Sequence, residues 1–394
     1  VSRSRDDDAC PGALQVHQAA DGALARLRLP GGTITPGQLE TLAHAATEHG
    51  NGTIELTVRG NVQLRGVRDT AAVADAVAGA GLLPSPDHER VRNIIASPLS
   101  GRVGGRADVR PWVVELDRGI RSDPELVRLP GRFMFGLDDG TGDISGLRAD
   151  VGAHVLGERA ALLLAGRDTG VRLGVDEVVP ALLAVARRFV AVRGKSWRVT
   201  ELDDPSVLVS DFEATEPGGT TYPPALRPPV GWILQDDGQV ALGAAVPLGV
   251  LEARQAHFVA AIGAPVVITP WRSLLVCDLA EGVADTSLRV LAPLGLVFDE
   301  NSPWLRVSAC VGRPGCEKSQ ADVRAEASRA VTEDVEDLPA GHVHYVGCER
   351  ACGSPLSGEV RVATGEGFQR VARADDAGRP AARGGGEKSN EARS

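Results

Sequence analysis

The chain has 394 residues, 43% of them hydrophobic but only 4% aromatic, and a formal charge of −10. That length exceeds one ordinary domain and predicts two to four, with cores built mainly of Val, Leu, Ala and Ile. The acidic balance argues against a nucleic-acid partner, and no run approaches the roughly 18 apolar residues that would span a bilayer. The opening "VSRSRDDDACPG" lacks the apolar stretch of a secretory signal, so a cytoplasmic protein is expected. Only Lys195, Lys318 and Lys388 among the 42 basic residues are lysine. Any anion site must therefore be built from guanidinium groups.

In chain order, "GALARLRLP" alternates apolar and polar residues like a strand and ends in "GG". "TPGQLETLAHAATEHG" carries a capping signal at Thr35, Pro36 in the first helical position and Gly50 as a stop, with Leu39, Leu42, Ala43 and Ala46 at helical spacing. "GTIELTVRGNVQLRGV" returns to alternation with Ile54, Leu56 and Val58 on one face, and "DTAAVADAVAGAGL" reads as a second helix. Residues 91–215 contain Leu/Ala/Val-rich helices, "ERAALLLAG" and "VVPALLAVARRFVAV". "DFEATEPGGTTYPPALRPPVG" holds five prolines and reads as a linker. A weaker copy of the first segment follows: "GQVALGAAVPLG" as a strand, "VLEARQAHFVAAIGA" as a helix and "PVVITPWRSLLVCDL" as a strand. Pro30 matches Pro247, Gly32 matches Gly249, and Arg59 falls opposite Arg272. Such a repeat implies two related halves, and clefts form at such junctions. The polar, Gly-rich residues 375–394 are expected to be disordered.

Four of the six cysteines come as two pairs, Cys310 with Cys316 and Cys348 with Cys352, in "ACVGRPGC" and "CERAC". In a reducing compartment paired thiols point to metal rather than to each other. An iron–sulfur cube needs four thiolates on loops that curl around it, with free amides for its sulfurs. Gly312, Pro314 and Gly315 suit the first loop; Gly347 and Gly353 flank the second. Structural zinc is the rival, although its pairs are usually two to four residues apart. Cys10 and Cys277 have no neighbouring partner in sequence.

"LRLPGG", "LTVRGNVQL", "VRNI" and the two cysteine pairs, in this order, resemble the nitrite and sulfite reductase superfamily over residues 10 to about 365. Within it, "ACPGAL", "RGNVQLRG" and "ITPWR" look like the precorrin-3B synthase family. The resemblance implies an α+β fold with two repeated ferredoxin-like half-domains (residues 1–90 and, with the linker, 216–300). It further implies two reductase-type α/β domains, one without a cluster (91–215) and one holding a [4Fe–4S] cluster (301–374) on Cys310, Cys316, Cys348 and Cys352. The implied reaction is an oxygen-dependent monooxygenation of precorrin-3A, which hydroxylates C-20 and forms a γ-lactone in corrin-ring biosynthesis. The implied partners are precorrin-3A, dioxygen and an external electron donor, a reductase or ferredoxin or one fed by NADH. A further non-haem iron is implied by that family; sirohaem belongs to the reductase alternative, which would reduce sulfite or nitrite. By family position, Arg26, Arg28, Arg59, Asn61, Gln63, Arg65, Arg92, Arg132, Trp271 and Arg272 would line a cradle for a tetrapyrrole. Catalytic residues are not assigned. At "LPGRFMFG" the reductases tend to offer basic residues on alternate positions. Here Arg132 is followed on the same face by Met134, which cannot hold a small oxyanion.

Overall fold

The computed structural model describes residues 10–371 apart from Leu226. The expected disordered tail at 375–394 and the charged residues 1–9 lie outside the described residues. No helix among the described residues is long and apolar enough to cross a membrane.

The first segment and its copy each build an antiparallel sheet, and each lends a strand to the other. One sheet runs His17–Ala19, Gly22–Leu27, Val62–Val67, Thr53–Leu56 and then Val250–Glu252. The other runs Gly231–Leu234, Val240–Ala245, Ser273–Leu279, Val266–Ile268 and then Thr33–Ile34. The two visiting strands are equivalent, since each directly follows a turn that begins in proline, Pro30–Gly32 or Pro247–Gly249. Each covers a sheet edge that would otherwise stay open. Gly32 is required there. Its φ is +74°, and a Cβ would stand 2.0 Å from the carbonyl oxygen of Ile268 in the other sheet.

Each visiting strand runs into a helix. Pro36–His49 starts on a complete capping box, in which Thr35 Oγ1 accepts from the Gln38 amide and the Gln38 side chain accepts from the Thr35 amide. Its mate, Ala253–Ala261, packs against it. Leu39, Leu42 and Ala46 from one repeat and Leu251, Ala256 and Val259 from the other sit in one continuous core. Two expectations fail locally. "GTIELTVRGNVQLRGV" is a hairpin rather than one strand, turning between Leu56 and Val62 with Gly60 at φ +63°. Val58 therefore leaves the apolar face and is 40% exposed. "PVVITPWRSLLVCDL" likewise splits into Val266–Ile268 and Ser273–Leu279 around a turn in which Arg272 takes φ +57°.

The remaining two sheets repeat one another over their first four strands. Ile94–Ala96, Phe135–Asp138 and Val151–Val155 lie parallel, then Arg159–Leu164 and Arg167–Gly174 return antiparallel. Val307–Ala309, Val343–Val346 and Glu359–Thr364 lie parallel, and Gly367–Val371 returns antiparallel. In each, the first strand leads to a helix, Arg110–Ser122 or Val323–Thr332. The expected helix at "ERAALLLAG" is thus the strand Arg159–Leu164. Its apolar run, residues 160–165, is only six residues long, is bounded by Gly157 and Gly166 at positive φ, and is buried on both faces over 160–164. Such a run suits a central strand as well as a helix turn. "VVPALLAVARRFVAV" forms the expected helix, Val178–Val192.

Candidate active site

In these two sheets the loops that follow the first and second parallel strands lie at the same end, where open α/β sheets place their sites. In the C-terminal sheet these loops carry the four cysteines; in the other they carry carboxylates. Asp138 there accepts from the backbone amides of Gly140, Gly142, Ile144 and Ser145 and faces His154, which satisfies it as a loop brace. Its pKa is lowered, since the His154 and amide hydrogen bonds outweigh the opposing effect of its burial.

All four thiols of the pairs are free, and Cys310, Cys316 and Cys348 stand near enough to Cys352 to act on its charge. The Cys352 thiol is pushed up first by burial and then by the nearby Cys310, Cys348 and Cys316. The loops are held from several sides. The Gly347 amide donates to Cys310 Sγ at 3.3 Å, Gln320 donates to the Gly347 carbonyl, and Ala351 to the Cys348 carbonyl. Gly347 allows this approach, because a Cβ there would collide with Ser319 Oγ. His344 is fully buried and sets its Nε2 2.9 Å from the Cys352 carbonyl, while Nδ1 meets Ser308 Oγ at 2.7 Å. The carbonyl can only accept, so Nε2 carries a proton.

Beside these loops opens a cavity of about 310 Å³ between the two repeats, the linker and both α/β domains. Three guanidinium groups line it, from Arg59, Arg198 and Arg272, with the indoles of Trp271 and Trp304 and apolar walls from Met134, Leu248 and Leu356. Arg272 joins cavity to cysteines: its Nη2 donates to the Gly353 carbonyl at 3.0 Å. Burial pushes the Arg272 guanidinium down to about 10, and burial with the neighbouring Arg198 does the same for Arg59. Both stay cationic at neutral pH and are poorly solvated, a state that favours binding of carboxylates. Trp271 is fixed by its Nε1–H donating to the Ala225 carbonyl at 2.8 Å. The proline-rich linker thus shapes the wall through Pro224, Ala225 and Pro228.

Of the ten residues expected in a cradle, Arg59, Trp271 and Arg272 line this cavity. The others stand apart from its wall. Arg28 is buried against the carbonyls of Arg90 and Pro11. Asn61 is a brace, accepting from the Leu29 amide and donating to Asn93 Oδ1. Gln63 spans Arg26 and Glu55, taking the Arg26 guanidinium on its oxygen and donating from its amide to Glu55. Arg65 pairs with Asp21 and donates to the Gly315 carbonyl at 2.8 Å, so it supports a cysteine loop from behind. Arg92 is spent in a buried ion pair with Asp117. Arg132 is exposed, its guanidinium 5.2 Å from the Trp197 ring centre.

Sequence reasoning missed Arg198, Trp304, Ser308 and Glu55. Arg198 also pairs with the buried Asp150. Glu55 is a buried carboxylate joining Arg324, Arg65 and Gln63 behind the cavity. An acidic residue alternating with apolar ones reads as solvent-facing, so only the sheet partners reveal its role. His342, not assigned a role by the sequence, lines the cavity with its Nε2 2.7 Å from Ser308 Oγ. Burial and the charge of Arg272 depress it to about 4, so it is neutral at physiological pH.

Residues 17–77 match the family described as nitrite/sulfite reductase ferredoxin-like half domain. The chain is 26% identical over 371 residues to a precorrin-3B synthase of Sinorhizobium sp, covering 89% of this chain and 79% of that protein. It is 24% identical over 410 residues to an assimilatory ferredoxin-dependent nitrite reductase of Haloferax mediterranei, covering 86% and 70%. The solved structure of the Mycobacterium tuberculosis NirA protein matches its fold with a TM-score of 0.72 at 20% identity, over 90% of this chain and 79% of that one. The resemblance read from the sequence is therefore met by both sequence and fold comparisons: the chain is similar to the nitrite and sulfite reductase superfamily, with a precorrin-3B synthase among its relatives.

Proposed function

We propose that the protein is a precorrin-3B synthase: an enzyme that hydroxylates C-20 of precorrin-3A with dioxygen and closes a γ-lactone from the ring A acetate. One oxygen atom would enter the product and the other leave as water, with two electrons from an external donor. The observation that carries this reading is the cavity wall, where flat indoles and three guanidinium groups meet beside the loops of the four paired cysteines. A tetrapyrrole rimmed with carboxylates needs that combination, a surface to stack on and forks to hold its edge.

In this reading Arg59, Arg198 and Arg272 hold peripheral carboxylates, and Trp271, braced by Ala225, sets the plane of the macrocycle. Met134 and Leu248 exclude water from the face they cover. Cys310, Cys316, Cys348 and Cys352 fit a [4Fe–4S] cluster, being free, on Gly-rich loops that bring them near one another, and already met by an amide at sulfur. When bound, that cluster supplies electrons to the cavity. His342 is neutral beside the cavity and can accept a proton on its ring. A further iron within the cavity does not fit: among the described residues its wall offers one imidazole and no carboxylate.

The nitrite reductases among the relatives favour a second reading, reduction of a small anion. Met134 speaks against it, since a buried thioether lines the wall where such an anion would need a cation. The test is analysis of protein purified without oxygen. Four irons and four acid-labile sulfides per chain, without sirohaem absorption bands, and turnover of precorrin-3A on admitting air are expected. Strong sirohaem bands with nitrite or sulfite turnover would replace this reading by the second.

A further inference from the structure

The helices Pro36–His49 and Ala253–Ala261 meet across the seam between the two repeats, away from the cavity, whose wall includes no residue of either. At their contact stand Glu40, His44 and His257. One donor atom from each lies within 4.8 Å of the other two. The imidazoles meet edge to face with centroids 4.6 Å apart. Glu40 and His44 share a helix face because they are four residues apart. Glu40 follows the N-cap Thr35 by five residues, and His257 follows the N-cap Glu252 by five, so the two occupy equivalent positions on the paired helices. The cluster therefore straddles the axis that relates the repeats.

Nothing else in the described structure occupies these side chains: no hydrogen bond or ion pair of Glu40, His44 or His257 is formed. Glu40 and His44 are exposed and His257 is half-buried, so solvent and ions can enter and the side chains can rotate. A tetrahedral ion with bonds of about 2.0–2.1 Å needs its donors about 3.4 Å apart, which small rotations from 4.8 Å reach. Two imidazoles and one carboxylate suit a borderline first-row cation and not calcium or magnesium, which prefer all-oxygen shells. Three protein ligands leave one position for water.

We propose that Glu40, His44 and His257 form a zinc-class divalent cation site that staples the two repeats at their pseudo-two-fold seam. It is distinct from the cysteine centre in ligand type and in place, and it does not depend on the proposed reaction. A cation bound there ties one helix of each repeat together and stabilises the folded chain by linkage.

The test is a calorimetric zinc titration of the cluster-loaded protein, whose paired thiols are then occupied, beside the variants His44→Gln and His257→Gln. One zinc site that weakens at least about tenfold in either variant is expected. A zinc-dependent rise in the unfolding midpoint should appear in the parent and vanish in both variants. Precorrin-3A turnover should be unchanged in His44→Gln. No saturable zinc binding, or an isotherm identical in parent and variants (as binding at Cys10 would give), overturns the proposal. His44 is exposed, so its variant keeps the test decisive should His257→Gln fail to fold.

Discussion

Arg272 is the residue on which cavity and cysteine loops both depend. Its guanidinium lines the cavity and also donates to the Gly353 carbonyl, one residue beyond Cys352. Charge-assisted hydrogen bonds contribute about 1.5–3 kcal/mol. Arg272→Ala should therefore weaken tetrapyrrole binding roughly 10- to 100-fold, read by quenching of tryptophan fluorescence, and Arg272→Lys should not restore it, because the bidentate fork is lost. His342 makes a pH prediction with a definite sign. Its pKa falls to about 4 in the folded state through burial and Arg272. The unfolded chain therefore binds more protons between about pH 6.5 and 4, and stability falls as pH drops through that window, by up to roughly 3 kcal/mol. Urea unfolding at pH 7 and at pH 4.5 should show the loss, and His342→Gln should reduce it. The cationic character of this site was legible in the sequence, but not its membership. Strand alternation tells which face Arg65 or Gln63 takes; it cannot tell that Asp21 or Glu55 waits there. Arg92 lies under the same limit, its partner Asp117 being 25 residues away on a helix.

At the scale of elements, the strand exchange is set by two turns. Gly32→Ala would drive a Cβ onto the Ile268 carbonyl and force alanine to φ +74°. A loss of at least about 2–3 kcal/mol is expected in the urea midpoint, against little change for Gly37→Ala, where nothing lies within 4 Å. The matching Pro and Gly positions of the repeat were legible, because turn chemistry is local. Which sheet each following strand would join was not, since pairing across 200 residues leaves no mark in the periodicity. The same limit explains the two hairpins that read as single strands. Alternation continues on both sides of a turn, and "TVRGN" and "TPWR" carry the reversal in one or two backbone angles. The helix Pro36–His49, by contrast, announced itself from cap to stop.

The whole molecule is best understood as two nested repeats. The ferredoxin-like segments share one core, and the two α/β sheets share the order and sense of their first four strands with different loops at the same end. One pair of loops is braced by Asp138 and its amides; the other offers four thiols. The cavity lies where these units converge, so Arg59, Arg198, Arg272 and His342, distant in the chain, come to line one space. The cysteine spacing alone marked the two thiol loops in the sequence; the linker's part in the wall, through Pro224 and Ala225, emerged only from the fold. The central claim is that this space holds a tetrapyrrole for attack by dioxygen. The most direct measurement is incubation of the cluster-loaded protein with precorrin-3A and a reductant under ¹⁸O₂, followed by mass spectrometry of the product. One labelled oxygen retained in a hydroxylated lactone is the predicted result; an unlabelled product, or equal conversion without dioxygen, would contradict it.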